Sequence, residues 1–118
     1  MKYLLQIHHG TTPLPGSPEW ERLSESEKAE VYRDYGAING TAGVTPGLWL
    51  QPPETATTVR VEGGQTLATD GPFVAVKEAL GGYLVYEADD LDAAIALASR
   101  IPSARMGGAV EIRPIVEQ

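Results

Sequence analysis

Gly81-Gly82-Tyr83-Leu84-Val85-Tyr86-Glu87-Ala88-Asp89-Asp90-Leu91-Asp92-Ala93-Ala94-Ile95-Ala96-Leu97-Ala98-Ser99-Arg100-Ile101-Pro102 holds a strand, a helix start and a helix in one run of chain. Two glycines open an aromatic and β-branched stretch, Tyr83 to Glu87, which is the composition of a strand. Asp89-Asp90 then supplies an N-cap and negative charge matched to the helix dipole. Leu91 to Arg100 follows as a helix, with Leu91, Ala94, Ile95 and Ala98 expected inward, and Pro102 is expected to close it. Val110 to Val116 reads as the next strand, so the C-terminal part of the chain is a β-α-β unit.

Working back from this run, the N-terminal part repeats the order. Tyr3 to His9 reads as a strand, its sets Tyr3-Leu5-Ile7-His9 and Leu4-Gln6-His8 alternating with the two-residue period. Gly10 to Ser17 is a proline- and glycine-bearing loop. Ser17-Pro18 is a helix-start signal, and Ser24-Glu25-Ser26-Glu27 is a capping box. Beyond it Val31, Tyr32, Tyr35, Ile38 and Ala42 form one apolar stripe, with Gly43 as terminator. Val44 to Gln51 is a strand weakened by Pro46 and Gly47, and Pro52-Pro53 ends it. Two β-rich segments, Thr57 to Val61 and Gln65 to Thr69, flank Gly63-Gly64, a two-residue hairpin signal. The complete order predicts one α+β domain over residues 1–118: a ferredoxin-like split βαββαβ with an extra β-hairpin.

Charge and composition narrow the function classes. The chain has 118 residues, with 9 Lys and Arg against 16 Asp and Glu, for a net charge of −7. Its few basic residues are scattered, so neither nucleic acid nor an anionic membrane surface is an expected partner. With no cysteine there is no thiol nucleophile, Cys-ligated zinc or iron–sulfur cluster. Gln6 and His8 interrupt the short apolar N-terminal stretch, which does not read as a signal peptide. No apolar run approaches the roughly 18 residues of a membrane span. A cytoplasmic location is the expectation. A single sheet with apolar residues on both faces needs two covers, and two helices shield one, so a homodimer is expected as well.

Thr69-Asp70-Gly71-Pro72-Phe73-Val74-Ala75-Val76-Lys77-Glu78-Ala79-Leu80-Gly81-Gly82-Tyr83 resembles the Asp-Gly-Pro-Phe (DGPF) family of the YciI-related (YCII) domain superfamily. Met1-Lys2-Tyr3-Leu4-Leu5, Leu50-Gln51-Pro52-Pro53, Thr57-Thr58-Val59-Arg60, Asp90-Leu91-Asp92-Ala93-Ala94 and Val110-Glu111-Ile112-Arg113-Pro114 are similar to it too. The resemblance implies a ferredoxin-like domain that pairs into a dimeric α/β barrel. Some members are encoded beside extracytoplasmic-function-type sigma factors, so it also implies a sigma-factor association as an alternative to ligand binding. His8-His9 stands where the group more often carries a Tyr-Gly pair. No role is therefore carried over to His8 from the His–Asp pair of another branch.

The candidate site residues come from the sequence itself. His8 is a candidate acid–base group, because imidazole exchanges protons near neutral pH. Asp70 is a candidate orienting carboxylate, although Asp-Gly-Pro is equally a turn. Gln6 shares the His8 face, Lys77 and Glu78 offer an anion contact and a proton carrier, and Tyr83 offers a hydroxyl. His8 and His9 are adjacent on a strand and diverge, so no metal site and no cofactor are expected. The implied function is binding of a small metabolite in a cavity between sheets, with cofactor-free lyase- or isomerase-type acid–base chemistry. The alternative is a non-catalytic regulator.

Overall fold

The computed structural model describes residues 1–71 and 80–117. Among these residues six strands and four α-helices follow in the order β1 (Lys2–His8), α1 (Pro18–Glu21), α2 (Glu25–Asn39), β2 (Val44–Trp49), β3 (Thr57–Glu62), β4 (Gln65–Asp70), β5 (Leu80–Glu87), α3 (Leu91–Ala98), α4 (Pro102–Arg105) and β6 (Ala109–Pro114), with a 3-10 turn at Pro53–Thr55 between β2 and β3. They build two separate sheets: a four-stranded one in the order β2-β5-β1-β6, and a two-stranded one made of β3 and β4. Every pair of neighbours is antiparallel.

Local sequence accounts for most of the helix ends. Ser17 caps α1 with Pro18 in its first turn. At α2 the Ser24 hydroxyl accepts from the Glu27 amide while the Glu27 carboxylate accepts from the Ser24 amide, a complete capping box. The Asp90 carboxylate accepts from the Ala93 amide at 2.9 Å and starts α3. Other details differ from the sequence reading: α2 ends at Asn39 with Gly40 as its C-cap, short of Ala42 and Gly43, and Tyr32 of the expected stripe is exposed. The buried set of α3 is Ala94, Leu97 and Ala98, with Leu91 and Ile95 exposed. Pro102 does not simply end that helix; it occupies the first turn of the short α4.

Alternation along β1 sends Tyr3, Leu5 and Ile7 into the core, where they pack with Ile38, Leu84, Ala94, Leu97 and Ile101. The helices thus cover one face of the four-stranded sheet, and Leu4, Gln6 and His8 on the other face are half-buried.

The fold is α+β, but the expected ferredoxin-like dimeric α/β barrel is corrected by the sheets themselves. Neither sheet closes on itself, and the four-stranded sheet is open, with β2 and β6 as its edges. Closure needs edge amides that can pair onward, and β2 carries Pro46, which has no N–H, followed by an irregularity between Pro46 and Trp49. The hairpin does not extend the sheet either: β3 and β4 pair with each other in register from Thr57–Asp70 to Glu62–Gln65. No helix among the described residues is long and apolar enough to cross a membrane.

Candidate functional site

The end of β1 presents two chemically different sides. On the uncovered side Gln6 stands directly opposite Tyr83 of β5 and Glu111 of β6. His8, two residues along on the same face, stands opposite Leu80 and Ala109, beside an irregularity in the β1–β5 pairing. Leu4, opposite Val85, continues this face toward the start of the strand. Three of the sequence-predicted residues, Gln6, His8 and Tyr83, are therefore brought onto one half-buried surface.

Asp70 is placed elsewhere. It is exposed at the end of β4, opposite Thr57, in the two-stranded sheet, whereas His8 belongs to the four-stranded one. The adjoining turn is closed by the Gly71 amide donating to the Ala56 carbonyl and the Thr58 hydroxyl donating to the Gly71 carbonyl. Lys77 and Glu78 lie outside the described residues. Among the described residues no three His, Asp or Glu side chains gather as metal ligands.

On the covered side, His9 directly follows β1 and turns toward α4. Its Nδ1 lies 3.0 Å from the Ser103 Oγ, a hydroxyl on a completely buried residue. Tyr35 of α2 lines a common cleft with His9 and Ser103. Burial raises the Tyr35 pKa, against the opposing effects of the Ser103 hydroxyl and the Arg105 charge. The Trp49 indole meets both rings edge-on, with centroids 6.5 Å from His9 and 5.9 Å from Tyr35. Arg105 ties α4 to α2 through Asp34, at 2.7 Å, and Glu30, at 3.6 Å.

Two glycines make room for this arrangement. A Cβ at Gly81 would overlap the His9 ring, so only glycine lets the imidazole lie against β5. Gly10 has φ 55° and packs on the Gly107 carbonyl, which turns the chain sharply after His9. Burial, then the neighbouring His8 charge, lowers the His9 pKa from 6.5, which favours the neutral imidazole. With Nδ1 engaged by Ser103, Nε2 is the acceptor if Nδ1 carries the proton and the donor if it does not.

His9, Tyr35, Trp49 and Ser103 line a cleft whose other walls include Pro13, Leu14, Trp20, Val31 and Met106. Its interior has room for about one water molecule. Sequence reasoning placed His9 at the end of the first strand and gave Ser103 no role at all. Ser103 is 94 residues from His9, and no periodicity links them. The one available signal was the glycine pair Gly81-Gly82, which marks a close approach as well as a turn.

Two comparisons with known proteins bear on this chain. The profile of the YCII-related domain family matches residues 33–118. An uncharacterized protein of Rhizobium meliloti (strain 1021) is 33% identical over 99 residues, with 78% of each chain covered.

Proposed function

This chain belongs to the YCII-related domain family, and from that premise we propose that it is a homodimer binding a small metabolite between two uncovered sheet faces. Within the family we place it in the Asp-Gly-Pro-Phe group, on the Asp70-Gly71-Pro72-Phe73 run. One observation supports the binding surface above the others: Gln6 and Tyr83 are direct cross-strand partners, and His8 shares their face. An amide, a phenol and an imidazole on one half-buried sheet surface are the groups that orient a small polar molecule. A second copy laid face to face would complete their burial.

In that enclosure His8 is the group suited to take a proton from carbon or oxygen and return it, with Gln6 and Tyr83 holding the ligand. Lyase- or isomerase-type chemistry needs no more than such a proton carrier and a positioned substrate. Asp70, exposed on the other sheet, is left out of the proposed set.

The test is a metabolite screen by NMR on the full chain, reading the His8 ring and the Tyr83 ring. At least one small molecule should shift both, and the shifts should disappear in His8→Gln and Tyr83→Phe. A second reading is a regulator that docks on a sigma factor of the extracytoplasmic-function type. It draws on the acidic first turn of α2, Glu25 and Glu27, and the exposed Tyr32. Silence of both rings toward every metabolite, together with a monomer by sedimentation, would leave that second reading ahead.

A further inference from the structure

We propose that the outer edge of β6 is a self-pairing surface, on which β6 of a second copy of this chain lies antiparallel about a two-fold axis at Ile112. The four-stranded sheet has β2 and β6 as its edges. At the β2 edge, Pro46 and the irregularity before Trp49 stop further pairing. β6 runs Ala109-Val110-Glu111-Ile112-Arg113-Pro114 in unbroken register with β1, and its proline comes last. Its outer row of backbone groups is thus open to a further strand.

The ladder decides which groups stand in that row. The Ile115 amide donates to the Lys2 carbonyl, so the positions bonded to β1 alternate back through Arg113, Glu111 and Ala109. Val110 and Ile112 therefore direct their amides and carbonyls away from β1. With Ile112 set opposite the partner's Ile112, that pair exchanges both of its bonds, and the Val110 amide donates to the partner's Pro114 carbonyl. Pro114 offers only a carbonyl there, so its missing N–H does not break the contact.

Charge selects both the occupant and the register. Each chain carries −7, so copies repel unless a contact sets opposite charges together. Glu111 and Arg113 are exposed, on the uncovered side of the sheet, opposite Gln6 and Leu4. Neither takes part in an ion pair of the described residues. Pairing about Ile112 sets Glu111 opposite the partner's Arg113 and Arg113 opposite the partner's Glu111, at the non-hydrogen-bonded positions where side chains approach most closely. A slide of two residues either way would oppose Glu111 to Glu111 or Arg113 to Arg113. The strand is complementary to itself in this register, which a second copy matches and an arbitrary extended segment does not. An edge contact of 6 residues is small, so it joins copies weakly, at concentrations well above those that hold the sheet-face dimer.

The experiment measures amide hydrogen exchange and sedimentation of the full-length protein at about 10 μM and about 1 mM. The Val110 and Ile112 amides, which face away from β1, should exchange at least tenfold more slowly at the higher concentration, and the sedimenting mass should rise. Glu111→Arg and Arg113→Glu each oppose like charges, and each should abolish that protection. The double variant Glu111→Arg/Arg113→Glu opposes unlike charges again and should restore it. Exchange rates that are equal at the two concentrations overturn the self-pairing and leave the edge to a segment of another protein. Protection that survives in both single variants overturns the register, and a double variant that fails to restore it overturns the pairing of Glu111 with Arg113. Leu4→Asp, which charges the sheet face, should leave the concentration-dependent protection of Ile112 in place, so failure here and failure of the sheet-face reading are separable.

Discussion

His8 and His9 are neighbours in sequence and lie on opposite sides of β1, and their environments separate their chemistry. His9 is the one whose proton affinity the fold lowers, chiefly by burial and secondarily through the charge of His8. The consequence for stability has a definite sign. As pH falls through 6.5, the unfolded chain takes up the His9 proton before the folded chain does. Stability from this group is therefore fully present above about 6.5 and is lost as pH falls through the lowered folded value. Urea midpoints measured across this window should fall more steeply for the native chain than for His9→Gln. His8→Gln should raise the His9 pKa only in part, because burial, the larger cause, remains. The sequence reading ran the strand through His9, whereas β1 ends at His8 and His9 lies in the turn that follows. Nor was the Ser103 hydroxyl that holds His9 legible in the sequence, because a contact across 94 residues leaves no local pattern.

At the scale of elements, short signals translated into structure where the partner groups are only a few residues apart. Replacing the α3 cap, Asp90→Ala, should cost about 1 kcal/mol, the usual worth of such a cap, measured by urea denaturation. Gly81→Ala in β5 should cost more than a cap, about 1–3 kcal/mol, because the added methyl overlaps the His9 ring. It should also shift the Trp49 indole signal, since Trp49 packs on the displaced ring. The paired glycines Gly63-Gly64 and Gly81-Gly82 look alike in sequence and behave differently. The first pair has positive φ in open space at a hairpin turn, and the second lies against β2 and His9. Which of the two uses a glycine pair serves depends on what packs beside it.

For the whole molecule, one sheet and one helical layer make a thin body, with extents of 51 × 43 × 18 Å. Its radius of gyration is 16.2 Å, above the value of about 13.5 Å for a compact chain of this length. The β3–β4 hairpin contributes to that spread, with Val59, Val61 and Leu67 all exposed. A lone two-stranded hairpin is marginally stable. Its amides should exchange with solvent faster than those of β1, which pairs on both sides, in a hydrogen-exchange measurement. The uncovered sheet face predicts a dimer in sedimentation at micromolar concentration. Leu4→Asp, charging the middle of that face opposite Val85, should shift the population toward monomer without unfolding the core beneath Leu5.

Features that depend on near neighbours are legible in the chain's local pattern. The helix starts at Ser17, Ser24 and Asp90 come from side chains bonding amides three residues away, and the burial of Tyr3, Leu5 and Ile7 comes from the pleat. The family is legible there too, since a long run of side chains shared with relatives outlasts changes in detail. The packing of distant segments makes the hairpin its own sheet, leaves the larger sheet open, and brings His9 against Ser103 and Trp49. The physical reason is the same in each case. Edge pairing and side-chain contact depend on where distant segments come to lie, and a strand's own alternation fixes only which way its side chains point.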